Sequence, residues 1–598
     1  MPRSNTVRTT PNPADSSDTE LSLESEEEMP TPPPSKRSAR AAVPPVTSQE
    51  AVPVAGRRST RVASQTVVAQ PVPPAAAKKA IRSRTKGTKK KNDDADVADL
   101  ETKMKKVKLE TRKKVAPKPK PKRIHQHEGE YFNALPQLAD IGCHSGSQLF
   151  VWGAGNAGQF GMGVDRTGEL SKPTKNTIVE EMMETGKLGE DLSTSFVALA
   201  AGGMSSLFID ATGTVWSCGA NDDAALGRIT ADVPHSKKKG AFADEDELSC
   251  NLYPLQSLLD EGFKAVQIAA GDSIGAVISD SGELRVWGTF RASGGVLGFS
   301  GGMKHQVLPI PVLDIKSKPG NVEKFIDVAA GNDHVIVVTT HGNIYTWGVG
   351  ERGQLGRKVL ERHKIHGTSP ERIVVGSRST RAIYIGAGAY TSFAVDEESN
   401  VWGWGANNFG QTGTGFSNGN TDKEIHVPKK VIGLSTPELG GEDYVTKIVG
   451  GDDHTLFLTR SGLVFACGMS LNGRLGLSDS NPAFEGRTFP EFMDRPALVE
   501  FPEEVVIVDI SAGTRTSMAV SENGVLYMWG EGAQSELGAG KAEVLHTPTH
   551  IGPEGSEWFA VAGSCGGQHT LAMFCERDER ESEDVGEDGD EDEDENVE

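Results

Sequence analysis

Residues 325–356 read FIDVAAGNDHVIVVTTHGNIYTWGVGERGQLG, and this stretch decides the fold. Its first part, FIDVAAG, is a short apolar run ended by Gly331. A polar triplet, Asn332-Asp333-His334, leads into VIVVTT, and Gly342-Asn343 then leads into IYTWG. Runs rich in β-branched and aromatic residues and bounded by glycine read as strands, and a glycine turn between two of them reads as a hairpin. The runs are apolar without alternation, so both faces of the sheet must be covered. A unit of this kind cannot stand alone and has to stack against others like it.

The chain supplies those others between residues 147 and 575. An aromatic-or-Cys then Gly doublet recurs at Trp152-Gly153, Cys218-Gly219, Trp287-Gly288, Trp347-Gly348, Trp404-Gly405, Cys467-Gly468 and Trp529-Gly530, with 57 to 69 residues between successive glycines. A second glycine stands 17 positions earlier in six copies: Gly202, Gly271, Gly331, Gly388, Gly451 and Gly513. Five of those copies place a hairpin glycine six positions before the doublet glycine (Gly213, Gly282, Gly342, Gly462, Gly524), and the sixth has Ser399-Asn400 there. A fourth glycine follows by eight positions at Gly161, Gly227, Gly356, Gly413, Gly476 and Gly538. The pattern predicts an all-β fold, a seven-bladed β-propeller, which leaves no long open sheet edge. The last segment, WFAVAGSCGGQHTLAMFCE, supplies the first half of a unit, and the first, SQLFVWGAGNAGQFG, supplies the second half. The amino- and carboxy-terminal segments are therefore expected to pair within one blade and close the ring.

Length and composition then take a different meaning. A chain of 598 residues would suggest four domains at about 150 residues each, but the repeat makes one ring of residues 137–575. Its 69 glycines belong mostly to blade turns. The net charge of -21 sums three unlike parts: +13 over residues 1–124, -21 over 125–575 and -13 over 576–598. Residues 1–136 read as a disordered basic arm rich in Pro, Ala, Ser and Lys, too poor in large apolar residues to offset its ordering entropy. Residues 576–598 read as an acidic disordered tail. Within 36–123 there are 25 basic and 7 acidic residues and no aromatic, with a cluster at Lys78–Lys91 that includes Lys89, Lys90 and Lys91. Such clusters suit nuclear import and contact with a DNA backbone, sequence-blind and salt-dependent, because no ring is offered for base stacking.

Other classes are set aside by missing signals. No run of 18 or more apolar residues exists and the amino terminus lacks an apolar h-region, so neither a membrane contact nor secretion is expected. The six cysteines include no C-x-x-C pair; reduced, buried thiols are expected, and neither a metal nor a cofactor. Phosphate-loop, nucleophile-elbow and zinc-protease motifs are absent. An enzyme with a covalent mechanism is not expected, and five of the eight Trp sit in the doublets, where packing explains them better than light reception.

The copies VALAAGGMSSLFIDATGTVWSCGANDDAALG and DVAAGNDHVIVVTTHGNIYTWGVGERGQLG resemble the repeat of the regulator of chromosome condensation family. The longer loop in IAAGDSIGAVISDSGELRVWGTFRASGGVLG, the basic arm and the terminal SCGGQHTLAMF resemble its nuclear branch, of fungal type. That resemblance implies a guanine nucleotide exchange factor for the small GTPase Ran, held on chromatin in the nucleus, with histones or nucleosomes, DNA and a nuclear import receptor as partners. A chromatin-bound propeller scaffold without exchange activity is the rival reading.

Pseudo-symmetry places the triplet after each second glycine at one end of the propeller. There Asp272, Asp333, Asp452, Asp453 and Arg515 would concentrate charge for a protein partner. His334, His454 and His569 recur at the third place of the triplet, as a turn-stabilising hydrogen bond would require. The resemblance implies an exchange face at Asp272, Asp333, Asp453, His454 and His569; the family pattern has His where this chain has Asp453, followed here by His454. In the third copy the fourth glycine comes ten positions after Gly288, at Gly298, rather than eight. The resemblance identifies Phe290, Arg291, Ala292, Ser293, Gly294, Gly295 and Val296 with a wedge that presses on the GTPase. It likewise implies that the basic loop carrying Arg357, Lys358, Arg362 and Lys364 reaches the nucleosome.

Overall fold

The computed structural model describes residues 131–576, apart from 140–145, 190–194, 236–237, 317–320, 417–422, 488, 503, 542–543 and 555–557. Among these residues the strands form five four-stranded sheets, one eight-stranded sheet and a separate two-stranded hairpin. The eight-stranded sheet is two four-stranded runs in series, joined by one parallel bridge between Ala387 and Val449. No helix among the described residues is long and apolar enough to cross a membrane.

The stretch quoted first forms Phe325–Ala330, His334–Thr339 and Ile344–Gly348, antiparallel neighbours followed by Glu371–Ile373. His334–Thr339 is buried along its whole length, as its unbroken apolar run requires. In one sheet the four strands come from both ends of the described chain. Ser147–Ala154 pairs with His569–Glu576 from Ser147 opposite Cys575 to Gly153 opposite His569, and Trp558–Cys565 and Glu169–Lys175 flank them.

Hydrogen bonds between neighbouring sheets explain the doublet. Trp152, Trp287, Trp404 and Trp529 donate their indole N–H to the carbonyls of Glu536, Ala225, Gln354 and Arg474 at 2.8, 2.7, 2.9 and 3.1 Å. Each acceptor lies two residues before the fourth glycine of the preceding copy. Cys218 and Cys467 replace Trp and point Sγ at the equivalent carbonyls of Gln159 and Gln411, both at 3.5 Å. That glycine is required by space as well as by φ: at Gly356 (φ +63°) a Cβ would stand 2.9 Å from Trp404 Nε1. The doublet glycine is equally constrained, since a Cβ at Gly348 (φ +118°) would lie 2.4 Å from the carbonyl oxygen of Asp333. Trp347 alone of the doublet tryptophans has a buried indole N–H without an acceptor.

The expectation of buried, reduced thiols holds for Cys218, Cys250, Cys467 and Cys565. It fails for Cys575, which is disulfide-bonded. The absence of C-x-x-C spacing excludes only that local arrangement, so the sequence carries no trace of this bond.

Candidate functional site

The triplets meet, because the turns that carry them bond to one another. Gly203 N–H donates to Gly271 O at 3.2 Å, Asp272 to Asn332 at 2.9 Å, Asn332 to Ala389 and Ala389 to Gly451, both at 3.1 Å. Asp452 N–H donates to Thr514 O at 3.1 Å, the Thr514 hydroxyl reaches Gly567 O at 3.3 Å, and Gly567 N–H returns to Gly202 O at 2.9 Å. This circuit of hydrogen bonds sets the aspartates side by side.

Their surroundings differ. Asp272 is exposed, Asp452 and Asp453 are half-buried and Asp333 is buried. Burial pushes the Asp333 carboxyl up to about 7, with Asp272 adding to the rise and the Arg291 N–H opposing it. Burial, reinforced by Asp453, takes Asp452 to about 6. Burial also raises Asp453, against the pull of Arg474, Arg352 and Arg515. Arg474 pairs with Asp453 at 3.6 Å and with Glu531 at 3.2 Å, and Arg515 reaches Glu531 at 2.9 Å. The Arg352 guanidinium lies 4.4 Å from the Tyr390 ring centroid. The end of the domain is thus a lattice of both signs rather than a purely acidic ring.

His454 and His569 do not lie on this face. Both are fully buried, as is His334. His569 Nε2 meets Ser206 Oγ at 2.8 Å, His334 Nε2 meets Ser392 Oγ at 2.8 Å and His454 Nε2 meets Ser517 Oγ at 2.9 Å, each across to the neighbouring sheet. Those hydroxyls donate to the carbonyls of Gln159, Gln354 and Arg474, so the imidazole is the donor at Nε2. In the free chain His454 and His569 tie sheet to sheet through Nε2, while Nδ1 of each is buried without a partner, so the recurrence marks a bond between sheets rather than one within the turn.

Burial pulls His569 down to about 3, below its unfolded value of about 6.5. Its contribution is therefore complete above about pH 6.5 and is lost as pH falls toward 3. The stability gap between wild type and His569→Gln should narrow by about 2–3 kcal/mol between pH 7 and pH 4.5, measured by urea denaturation. A gap constant with pH would contradict the buried neutral ring.

The long loop of the third copy is the separate hairpin. Phe290–Ala292 pairs with Gly295–Gly298, Arg291 opposite Val296 and Ala292 opposite Gly295, leaving Ser293 and Gly294 exposed at the turn. Its base is anchored by Phe290, fully buried and stacked on Phe299 with centroids 6.2 Å apart. Asp333 Oδ1 accepts the Arg291 backbone N–H at 2.6 Å. The Arg291 guanidinium pairs with Asp223, and Glu351 Oε2 accepts the Ser293 N–H at 3.0 Å. Asp333 is thereby a support of the hairpin as well as a member of the aspartate group. Asp223 and Glu351 were missed in the sequence, because they lie between the invariant spacings and nothing local marks them.

The basic loop divides. Arg357 is pinned, its Nη1 on Glu371 at 2.7 Å and its Nη2 donating to Ser369 O at 3.0 Å, so it braces the loop instead of being presented. Lys358 and Arg362 are exposed, and Lys364 is half-buried between Glu361 at 3.4 Å and Glu351 at 3.7 Å. Arg357, Lys358, His363 and His366 line a cavity of about 500 Å³. Lys89, Lys90 and Lys91 lie outside the described residues, as do most of the arm and the tail.

A family profile described as the RCC1-like domain matches residues 148–572. Protein pim1 of Schizosaccharomyces pombe is 31% identical over 430 residues, 71% of this chain and 74% of that protein. Guanine nucleotide exchange factor SRM1 of Saccharomyces cerevisiae is 29% identical over 453 residues, 71% of this chain and 86% of that protein. The crystal structure of Prp20p from Saccharomyces cerevisiae, described with its binding properties to Gsp1p and histones, is similar at a TM-score of 0.62 and 26% identity. It covers 76% of this chain and 95% of that one. With the repeat, the aspartate turns and the domain-length match in agreement, the chain belongs to the regulator of chromosome condensation family.

Proposed function

We propose that the chain is a guanine nucleotide exchange factor for the small GTPase Ran. In this reading the four-stranded runs are seven blades of one ring, residues 137–575, closed by the sheet that takes strands from both ends. The hairpin at Phe290–Val296 is the wedge. Asp272, Asp452 and Asp453 form the docking face beside it, and Asp333 joins the two. The observation that carries the reading is this juxtaposition: an exposed turn on a buried aromatic base, standing next to a group of carboxylates, within a domain whose relatives include a named exchange factor.

The reaction needs no covalent step. The factor binds the GTPase, the wedge loosens nucleotide, and the nucleotide-free GTPase in turn binds the factor more tightly, because the coupling is reciprocal. Which nucleotide enters next follows their concentrations. The basic arm and the exposed Lys358 and Arg362 would hold this activity on chromatin, through DNA phosphates and acidic histone surface, and the arm's basic clusters would be read by a nuclear import receptor. The histone contact has support in the described binding of Prp20p.

Asp272→Ala tests the face without disturbing the core, since Asp272 is exposed. It should lower kcat/KM for GDP release from Ran at least about tenfold, ~1.4 kcal/mol, with Tm unchanged. Ran binding that persists without any stimulated GDP release, in wild type and variant alike, would favour the chromatin scaffold instead.

A further inference from the structure

The wedge hairpin lacks the support that its counterparts have. Elsewhere the loop after the doublet is held by an indole or thiol of the next copy, donating to the carbonyl two residues before the fourth glycine. In the third copy the two extra residues form the hairpin, and the next tryptophan, Trp347, is left with an unpaired buried N–H. A two-stranded ribbon this short is not stable by itself. Phe290 fixes its base and Asp333 fixes Arg291, both at the near end. At the exposed turn the described backbone contact is to Glu351, which accepts the Ser293 N–H at 3.0 Å.

Glu351 is itself held. It lies just after the doublet of the next copy, with its side chain only 20% exposed, and Lys364 of the basic loop stands 3.7 Å away. Its carboxylate thus reaches the hairpin from a neighbouring blade, and a carboxylate accepting a backbone N–H makes a stronger bond than a neutral acceptor.

We propose that Glu351 is the positioning residue of the wedge: by accepting the Ser293 N–H it keeps the exposed turn in the orientation that meets the GTPase. It touches neither nucleotide nor reacting atoms and acts only through the hairpin. The proposal rests on the exchange reading for its effect on rate, but not for its effect on the hairpin.

The test uses the full chain and two variants. Glu351→Ala removes the acceptor, whereas Glu351→Gln keeps an oxygen for the N–H and loses only the charge. Hydrogen exchange of the segment 290–298, followed by mass spectrometry without any GTPase, should quicken about tenfold in Glu351→Ala, as loss of one bond to a charged acceptor implies. It should quicken by only about two- to fourfold in Glu351→Gln, whose neutral oxygen makes a weaker bond than the carboxylate but still makes one. With Ran, Glu351→Ala should lower kcat for GDP release about tenfold with KM nearly unchanged, and Glu351→Gln should rescue it. Wild-type protection of the segment in Glu351→Ala overturns the proposal, and so does a Glu351→Gln variant as impaired as Glu351→Ala. A wild-type chain that releases no GDP would overturn the exchange reading instead, while the hydrogen-exchange comparison still decides whether Glu351 holds the turn.

Discussion

A chain ending at residue 568 is expected to lose its folded domain, not merely one sheet. The missing strand, His569–Glu576, is central in its sheet: it pairs with Ser147–Ala154 on one side and Trp558–Cys565 on the other. It also fills two separate cores. Leu571 and Met573 pack with Phe160, Val179, Phe208 and Trp216, and Ala572 and Phe574 pack with Trp152, Met518 and Met528. Removing Leu571, Met573 and Phe574, all 2% exposed or less, at about 2–5 kcal/mol each already rivals the ~5–15 kcal/mol that a whole domain has to spare. The joint between His569 and Ser206 would go with it. Thermal unfolding followed by circular dichroism should show no cooperative transition for this chain. A second truncation ending at residue 576, which removes only the acidic tail, should leave Tm within a few degrees of the full chain. A chain ending at 568 that melts cooperatively near the wild-type Tm would contradict the account of the terminal sheet.

Much of the domain was legible because its repeats obey fixed spacings. Gly356, Trp404 and the carbonyl of Gln354 are parts of one joint, so spacing alone finds two of its three members. The recurrence of His334, His454 and His569 likewise signalled a structural bond. What recurrence cannot say is which way a side chain points: a triplet on a turn can face solvent, as Asp272 does, or turn inward, as His569 does. The resemblance implies contact and the recurrence implies structure; in the free chain the rings are buried between sheets. The sequence does not separate Arg357 from Lys358 and Arg362, because loop charge looks alike whether or not a partner such as Glu371 is near. Asp223 and Glu351 escaped because they act across copies, at positions outside the repeated spacings, to hold the one loop that breaks them.

Replacing Arg291–Leu297 by a short Gly-Ser link removes the wedge while keeping Phe290 in its buried site and leaving the four-stranded sheets intact. Tm should fall by no more than a few degrees, because Ser293 and Gly294 are exposed and only the partly buried Ala292 and Leu297 leave the core, and Ran should still bind through the aspartate face. Exchange should nevertheless fall by about 100-fold or more, ~2.7 kcal/mol of barrier, since docking without the wedge does not favour the nucleotide-free state. The most direct measurement of the central claim is stimulated release of labelled GDP, with the purified wild-type chain and the wedge-excised chain each mixed with Ran and with other small GTPases. Fast release from Ran by the wild-type chain, little from the other GTPases, and near-spontaneous release with the excised chain are expected. Release from Ran that stays at the spontaneous rate with the wild-type chain, or that is equally fast without the wedge, would contradict that claim.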